Sequence, residues 1–117
     1  MTEAFDRIAT FYGLQPTRFA TLVDFQLHQE IVAGNVYPLL TLSLRLGSGD
    51  GRALAVVFEG VRDLKVDWPG QLPVEVDVID VRDIIDHGLE DIRYRVSEGE
   101  GLFSFSCRDF RSNLASS

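Results

Sequence analysis

The amino-acid sequence predicts a mostly β domain, an antiparallel two-sheet sandwich or a strongly curved sheet with one short N-terminal helix. Three observations predict it. Apolar and polar residues alternate over most of the chain, which is typical of half-buried strands. Glycine-rich turns separate these stretches at regular intervals. No helical segment lies between successive strands, as the connections of a parallel sheet would require.

The first thirteen residues predict the helix. Their apolar residues recur at three- and four-residue spacing, which places them on one helical face: Ala4, Phe5, Ile8, Phe11 and Tyr12. Thr2 is a suitable N-cap because its hydroxyl can accept a hydrogen bond from a free backbone N–H. Gly13 is a suitable end, and Pro16 prevents the helix from continuing.

Three alternating stretches follow. Their apolar residues are Val23, Phe25 and Leu27, then Leu40, Leu42, Leu44 and Leu46, and then Leu54, Val56 and Phe58. Residues 47–51 are glycine-rich and predict a turn between the second and third stretches. The sequence therefore predicts one strand over residues 23–28 and a hairpin over residues 38–59.

The middle of the chain predicts shorter extended segments. Val61 to Trp68 is one, and Gly60 before it indicates a bend or bulge. Val74 to Ile79 alternates again after a proline-containing loop. Asp80, Asp83 and Asp86 stand at i, i+3 and i+6, a spacing that favours a single helical turn over Asp80 to Asp86.

The last part of the chain predicts a second hairpin over residues 91–110. Ile92, Tyr94 and Val96 alternate with polar residues before a turn at residues 98–101, and Phe103, Phe105 and Cys107 alternate after it. The polar residues 112–117 predict a frayed tail. At 117 residues, the whole chain (1–117) is expected to form a single domain.

Acidic residues are concentrated in one part of the chain. The formal net charge is −7, and residues 71–100 carry −6 of it, with nine acids and three bases. This field repels phosphate, which argues against nucleic acid and membrane ligands, and attracts a basic protein. We predict a protein-binding surface for a basic partner, formed by Asp77, Asp80, Asp83, Asp86, Glu90 and Asp91. A solvated surface that serves solubility alone is the alternative.

The sequence contains no phosphate-binding loop, dinucleotide glycine pattern, paired-histidine zinc motif or nucleophile elbow. The acids near His87 do not have the spacing of a calcium-binding loop. Cys107 falls on the apolar side of its strand, where a thiol is usually inert. We therefore predict no catalytic residues, no metal and no cofactor, and expect that the protein is not an enzyme.

The compartment is predicted from what the sequence lacks. One cysteine allows no intramolecular disulfide. Met1 to Thr10 has no signal-peptide pattern, and no apolar run approaches the ~20 residues that span a bilayer. We expect a soluble, cytoplasmic protein.

Several segments resemble those of small bacterial immunity proteins of polymorphic-toxin systems, in particular the fiftieth class. Ala55 to Leu64 is similar to their F-x-G-V-x-D-L segment. Phe25 to His28, followed by the alternating leucines Leu40 to Leu44, is similar to their entry strands. Tyr94 to Val96 with Phe105 to Cys107 is compatible with their closing hairpin. The resemblance covers about residues 20–110 and implies a non-enzymatic inhibitor that binds a toxin.

Two other functions fit the composition. Eight phenylalanines and many leucines allow a sandwich or barrel with an apolar cavity for a small ligand. Exposed strand edges allow a structural module without a ligand, which would self-associate as a homodimer. A packed interior would count against the first alternative, and the oligomeric state tests the second.

Overall fold

The computed structural model describes residues 7–30, 39–67, 71–84 and 92–116. These residues form one helix, one 3-10 turn and nine strands. In chain order the elements are α1 (Arg7–Gly13), the 3-10 turn (Pro16–Arg18), β1 (Thr21–Glu30), β2 (Leu39–Gly47), β3 (Arg52–Glu59), β4 (Arg62–Val66), β5 (Val74–Glu75), β6 (Ile79–Asp83), β7 (Tyr94–Glu98), β8 (Phe103–Cys107) and β9 (Asp109–Ser116).

The strands form two sheets. The first has the order β5-β1-β2-β3-β9 and the second the order β4-β8-β7-β6. All pairs are antiparallel. The predicted two-sheet architecture is therefore confirmed. Within the described residues, so are the hairpins predicted over 38–59 and 91–110, which form β2–β3 and β7–β8.

The core lies between the sheets and is rich in aromatic rings. Phe58 of β3 meets Phe105 of β8 edge to face, with ring centroids 4.7 Å apart. Tyr94 of β7 meets Phe110 of β9 in the same way at 4.9 Å. Burying rings of this size contributes much of the hydrophobic stabilisation, and edge-to-face contacts add to it. All four side chains are 2 % exposed or less.

Helix α1 packs against the last strand. Phe11 is fully buried and its ring lies 6.2 Å from that of Phe110. Arg7 donates to Asp109 Oδ1 at 3.2 Å. The helix predicted over residues 1–13 is confirmed from Arg7 onward, whereas residues 1–6, with the predicted Thr2 cap, lie outside the described residues.

The helical turn predicted for Asp80 to Asp86 is wrong within the described residues. Ile79–Asp83 forms strand β6, which pairs with β7. Ile79 and Val81 are buried, so their period of two places both on the core side of a strand. The three-residue spacing of the acids was a weaker signal, because exposed acids do not determine which side of an element is buried.

The polar tail is also ordered where the sequence predicts fraying. Residues 112–116 belong to β9, which pairs with β3 from Asp109 to Ser116. A polar sequence can form an outer strand because pairing uses backbone groups, while its outward side chains remain in water.

Strand β1 departs from the predicted alternation. Its register with β2 shifts between Leu22 and Asp24, which is the mark of a bulge. Leu22 is fully buried, whereas Val23 and Leu27 are 41 % and 47 % exposed. The predicted strand over Val74 to Ile79 is likewise interrupted, since only the two residues of β5 and the start of β6 are extended there.

Candidate functional site

Three of the six predicted acidic contact residues lie in the described part of the chain. Asp77 precedes β6, and Asp80 and Asp83 belong to it. Successive side chains of a strand point to opposite sides, so Asp80 and Asp83 leave the strand on different sides, about 10 Å apart along it. Asp86, Glu90 and Asp91 lie outside the described residues.

Two of these acids are already in ion pairs. Asp80 Oδ2 lies 2.7 Å from Arg82 Nε, and Asp83 Oδ2 lies 3.5 Å from Arg93 Nη2. The Asp80–Arg82 pair is well exposed, so it contributes little to stability. The negative potential around Asp80 and Asp83 is weaker than the charge of the sequence indicates, because each acid has a cation beside it.

Asp77 is an exposed acid that is in no described ion pair. Its side chain is exposed and its carboxylate lies against the turn that joins β7 to β8, where a Cβ on Gly99 would stand 2.7 Å from Oδ2. The backbone of Asp77 is held by the buried side chain of Glu98, since the Asp77 N–H donates to Glu98 Oε2 at 2.6 Å. A fixed backbone with an exposed carboxylate is well suited to contact a basic side chain.

Glu98 is a buried acid that the sequence analysis did not single out. It is 4 % exposed. Its other oxygen, Oε1, accepts hydrogen bonds from the backbone N–H groups of Glu100 at 2.7 Å and Leu102 at 3.0 Å. With the Asp77 bond, three backbone donors satisfy this carboxylate. Glu98 therefore has a structural role, in which it fixes the turn beside Asp77.

The outer side of the second sheet carries basic side chains, which the charge analysis missed. The strand registers place Arg62, Ser106, Arg95 and Arg82 in one row across the sheet, and Lys65, Ser104, Ser97 and Asp80 in the next. We call these eight residues the basic face. With four bases and one acid, its formal charge is +3 in a chain of net charge −7.

The side chains considered for chemistry do not form a reactive group. Cys107 is fully buried, and burial raises the pKa of its thiol to about 12, so the thiol is protonated at neutral pH. Among the described residues, no three His, Cys, Asp or Glu side chains are grouped so as to hold a metal ion. His87 lies outside those residues.

Comparison with known proteins relates the chain to a family of immunity proteins. The family described as Immunity protein PIM8 has a model that matches residues 3–113, nearly the whole chain. The predicted kinship with polymorphic-toxin immunity proteins is thus confirmed, although the strand motifs resembled the fiftieth class and the matching family is PIM8. No curated protein and no solved structure matches the chain. In the described part of the chain, no helix has the length and apolar character needed to span a membrane.

Proposed function

This chain belongs to the PIM8 immunity protein family, and we propose that it inhibits a toxin by binding it, without chemistry of its own. The family match is the observation that carries the proposal. The structure is consistent with a binding role, since most of the described phenylalanines fill the core and, among the described charged residues, only Glu98 is buried. We further propose that the toxin is basic and that binding takes place in the cytoplasm, where a single buried cysteine is usual.

The proposed contact for the toxin is the acidic segment from Asp77 to Asp91. Asp77 supports it most directly, because its side chain is exposed, its backbone is held by Glu98 and it has no described ion pair. Opposite charges speed encounter and align the two proteins. Asp80 and Asp83 contribute by exchanging their internal cations, Arg82 and Arg93, for those of the toxin.

The inhibitory role is tested by co-expression. A candidate toxin domain, sought first among the genes next to the one for this protein, is produced in a bacterial host with and without this protein. We expect growth arrest with the toxin alone, normal growth with both, and a stable complex on gel filtration. Continued growth arrest in the presence of folded protein would refute the proposed function.

The acidic contact is tested by neutral variants of the same size. Asp77→Asn is the cleanest, because it disturbs no described ion pair. The combined variant Asp86→Asn, Glu90→Gln and Asp91→Asn tests the second half of the segment. Asp63→Asn is the matched control, because Asp63 is also exposed and in no described ion pair, and it lies on β4, at the opposite edge of the second sheet from β6. We expect the first two to weaken toxin binding at least tenfold and the control to leave it unchanged. Equal affinities for all variants would disprove the acidic contact.

Self-association is a second candidate, favoured by one observation. Strand β5 pairs only with Thr21 and Leu22 of β1, and no described strand continues along that edge of the first sheet. Exposed edges of this kind can pair with another chain, which would give a homodimer. Light scattering at several concentrations tests this, and a monomer throughout would remove the candidate.

A further inference from the structure

Arg95 lies at the centre of the basic face and is held there by hydroxyl groups. Its Nη1 donates to Ser106 Oγ at 3.1 Å and its Nη2 to Ser104 Oγ at 3.5 Å. Among the described residues, it forms no ion pair with an acid. A guanidinium group has five N–H donors, so three remain after the two serines. Arg95 is thus a preoriented cation whose charge is not compensated by a carboxylate.

The two serines add further donors. Each hydroxyl accepts a hydrogen bond from Arg95, so its own proton is available for another acceptor. Ser106 is 5 % exposed and lies beneath the guanidinium group, whereas Ser104 is half-buried and more open. The centre of the face therefore presents the N–H donors of Arg95 beside the O–H donor of Ser104, an arrangement that suits an anion.

Neighbouring charges strengthen this preference. Arg82 stands directly opposite Arg95 on the adjacent strand, and like charges in that position destabilise a sheet. Asp80 offsets the charge of Arg82 at 2.7 Å, but no described acid does so for Arg95. Lys65 in the next row is exposed and adds a further positive charge to the face. An anion bound over Arg95 would relieve the remaining repulsion.

We propose that the basic face binds an acidic segment of the toxin, with a carboxylate accepting two hydrogen bonds from Arg95. This inference rests on the proposed function, and it adds that the interface recognises both signs of charge. Arginine forms such paired bonds with carboxylates in a fixed geometry. A protein carboxylate fits better than nucleic acid, because the net charge of −7 repels a long polyphosphate more strongly than a short acidic segment.

The test uses purified protein and a fluorescent decaglutamate peptide, with binding measured by anisotropy at low and physiological salt. We expect binding by the native chain and at least tenfold weaker binding by Arg95→Ala. Arg95→Lys should also bind more weakly, because lysine cannot form the paired bonds. Lys65→Glu reverses a charge on the same face without breaking a described contact. It should fold normally and also bind the peptide more weakly, so weaker binding by this variant cannot be attributed to loss of folding. Arg18→Ala removes an exposed arginine elsewhere and should bind normally.

The outcomes separate this inference from the proposed function. Equal weakening by Arg95→Ala and Arg18→Ala, or no peptide binding by the native chain, would overturn the acidic-segment site. Tighter binding of a ten-residue oligothymidylate than of decaglutamate would overturn it in favour of nucleic acid. If Arg95→Ala loses the peptide but still protects cells from the toxin with native affinity, the face does not serve toxin binding. If the native chain binds the peptide but gives no protection, the proposed function fails instead.

Discussion

The backbone N–H of Asp77 donates a hydrogen bond to the buried carboxylate of Glu98 at 2.6 Å. This contact joins the segment before β6 to the end of β7, and the same carboxylate fixes the turn to β8 through Glu100 and Leu102. The exposed Asp77 side chain is therefore positioned by an acid that a partner cannot reach.

The first prediction concerns this buried carboxylate. Glu98→Gln replaces one acceptor oxygen by an NH₂ group, which is a donor. The glutamine side chain therefore cannot accept all three hydrogen bonds from the backbone. We expect the free energy of unfolding in urea to fall by about 1–3 kcal/mol, the cost of leaving a buried polar group unsatisfied. Glu100→Gln, at an exposed position two residues on, is the control and should change it little. An equal free energy of unfolding for Glu98→Gln and the native chain would mean that Glu98 does not fix the turn.

The second prediction concerns the end of β9. Deleting residues 112–117 removes the backbone pairs that join β9 to Arg52, Ala53, Leu54, Ala55 and Val56. We expect the free energy of unfolding to fall by about 2–4 kcal/mol, because each lost backbone bond contributes roughly 1 kcal/mol. Leu114→Thr keeps the strand and changes a side chain that is 44 % exposed, so it should have little effect. An unchanged free energy of unfolding after the deletion would favour the frayed tail that the sequence predicts over the paired strand.

The third prediction concerns the bend between β3 and β4. Gly60 has φ +69°, and a Cβ there would stand 3.0 Å from Arg108 Cβ. Gly60→Ala should therefore lower the melting temperature more than Gly49→Ala, where φ is +87° but the space is open. The left-handed conformation costs about 1–2 kcal/mol in both variants, and the contact with Arg108 adds to it only at residue 60. A melting temperature that falls equally in both would rule out the close approach.

The fourth prediction concerns Cys107. Because burial raises the pKa of the Cys107 thiol from its ordinary value of 9.0 to about 12 in the folded protein, the unfolded chain loses its thiol proton first as pH rises. The contribution of this thiol to stability is complete below about pH 9 and is lost between about pH 9 and 12, by about 1.4 kcal/mol per pH unit. The free energy of unfolding should fall less steeply there in Cys107→Ala than in the native chain.

The same residue offers a simpler measurement. A thiol reagent at pH 8 should leave the folded protein unmodified and label one thiol per chain in denaturant, since the sequence has one cysteine. Rapid labelling of the folded protein would contradict the buried position of Cys107.

The hairpins could be predicted from the sequence because each depends on local information. Alternation within a strand and glycine in a turn are both visible over some twenty residues, as for β2–β3 and β7–β8. The position of β9 was not visible, because its pairing with β3 joins residues that are fifty or more positions apart. For β6, the spacing of the acids concealed the alternation of Ile79 and Val81.

The candidate site shows the same limit. The sequence charge indicated an acidic surface. Arg82 lies beside Asp80 because both belong to strand β6 rather than to a helical turn, and Arg93 lies beside Asp83 because β6 pairs with β7. Arg62 and Arg95 stand in one row because β8 lies between β4 and β7. Nothing in the local sequence sets that strand order, so a basic face within an acidic chain could not be predicted.

The contact between α1 and β9 also bears on how the chain acquires its structure. Arg7 and Asp109 are 102 positions apart, and Phe11 and Phe110 meet beside them. Contacts of such separation close large loops at an entropic cost, so sandwiches of this kind fold in about milliseconds to seconds. We expect the helix to dock late, after β9 has joined its sheet, so that only a nearly complete chain encloses Phe110.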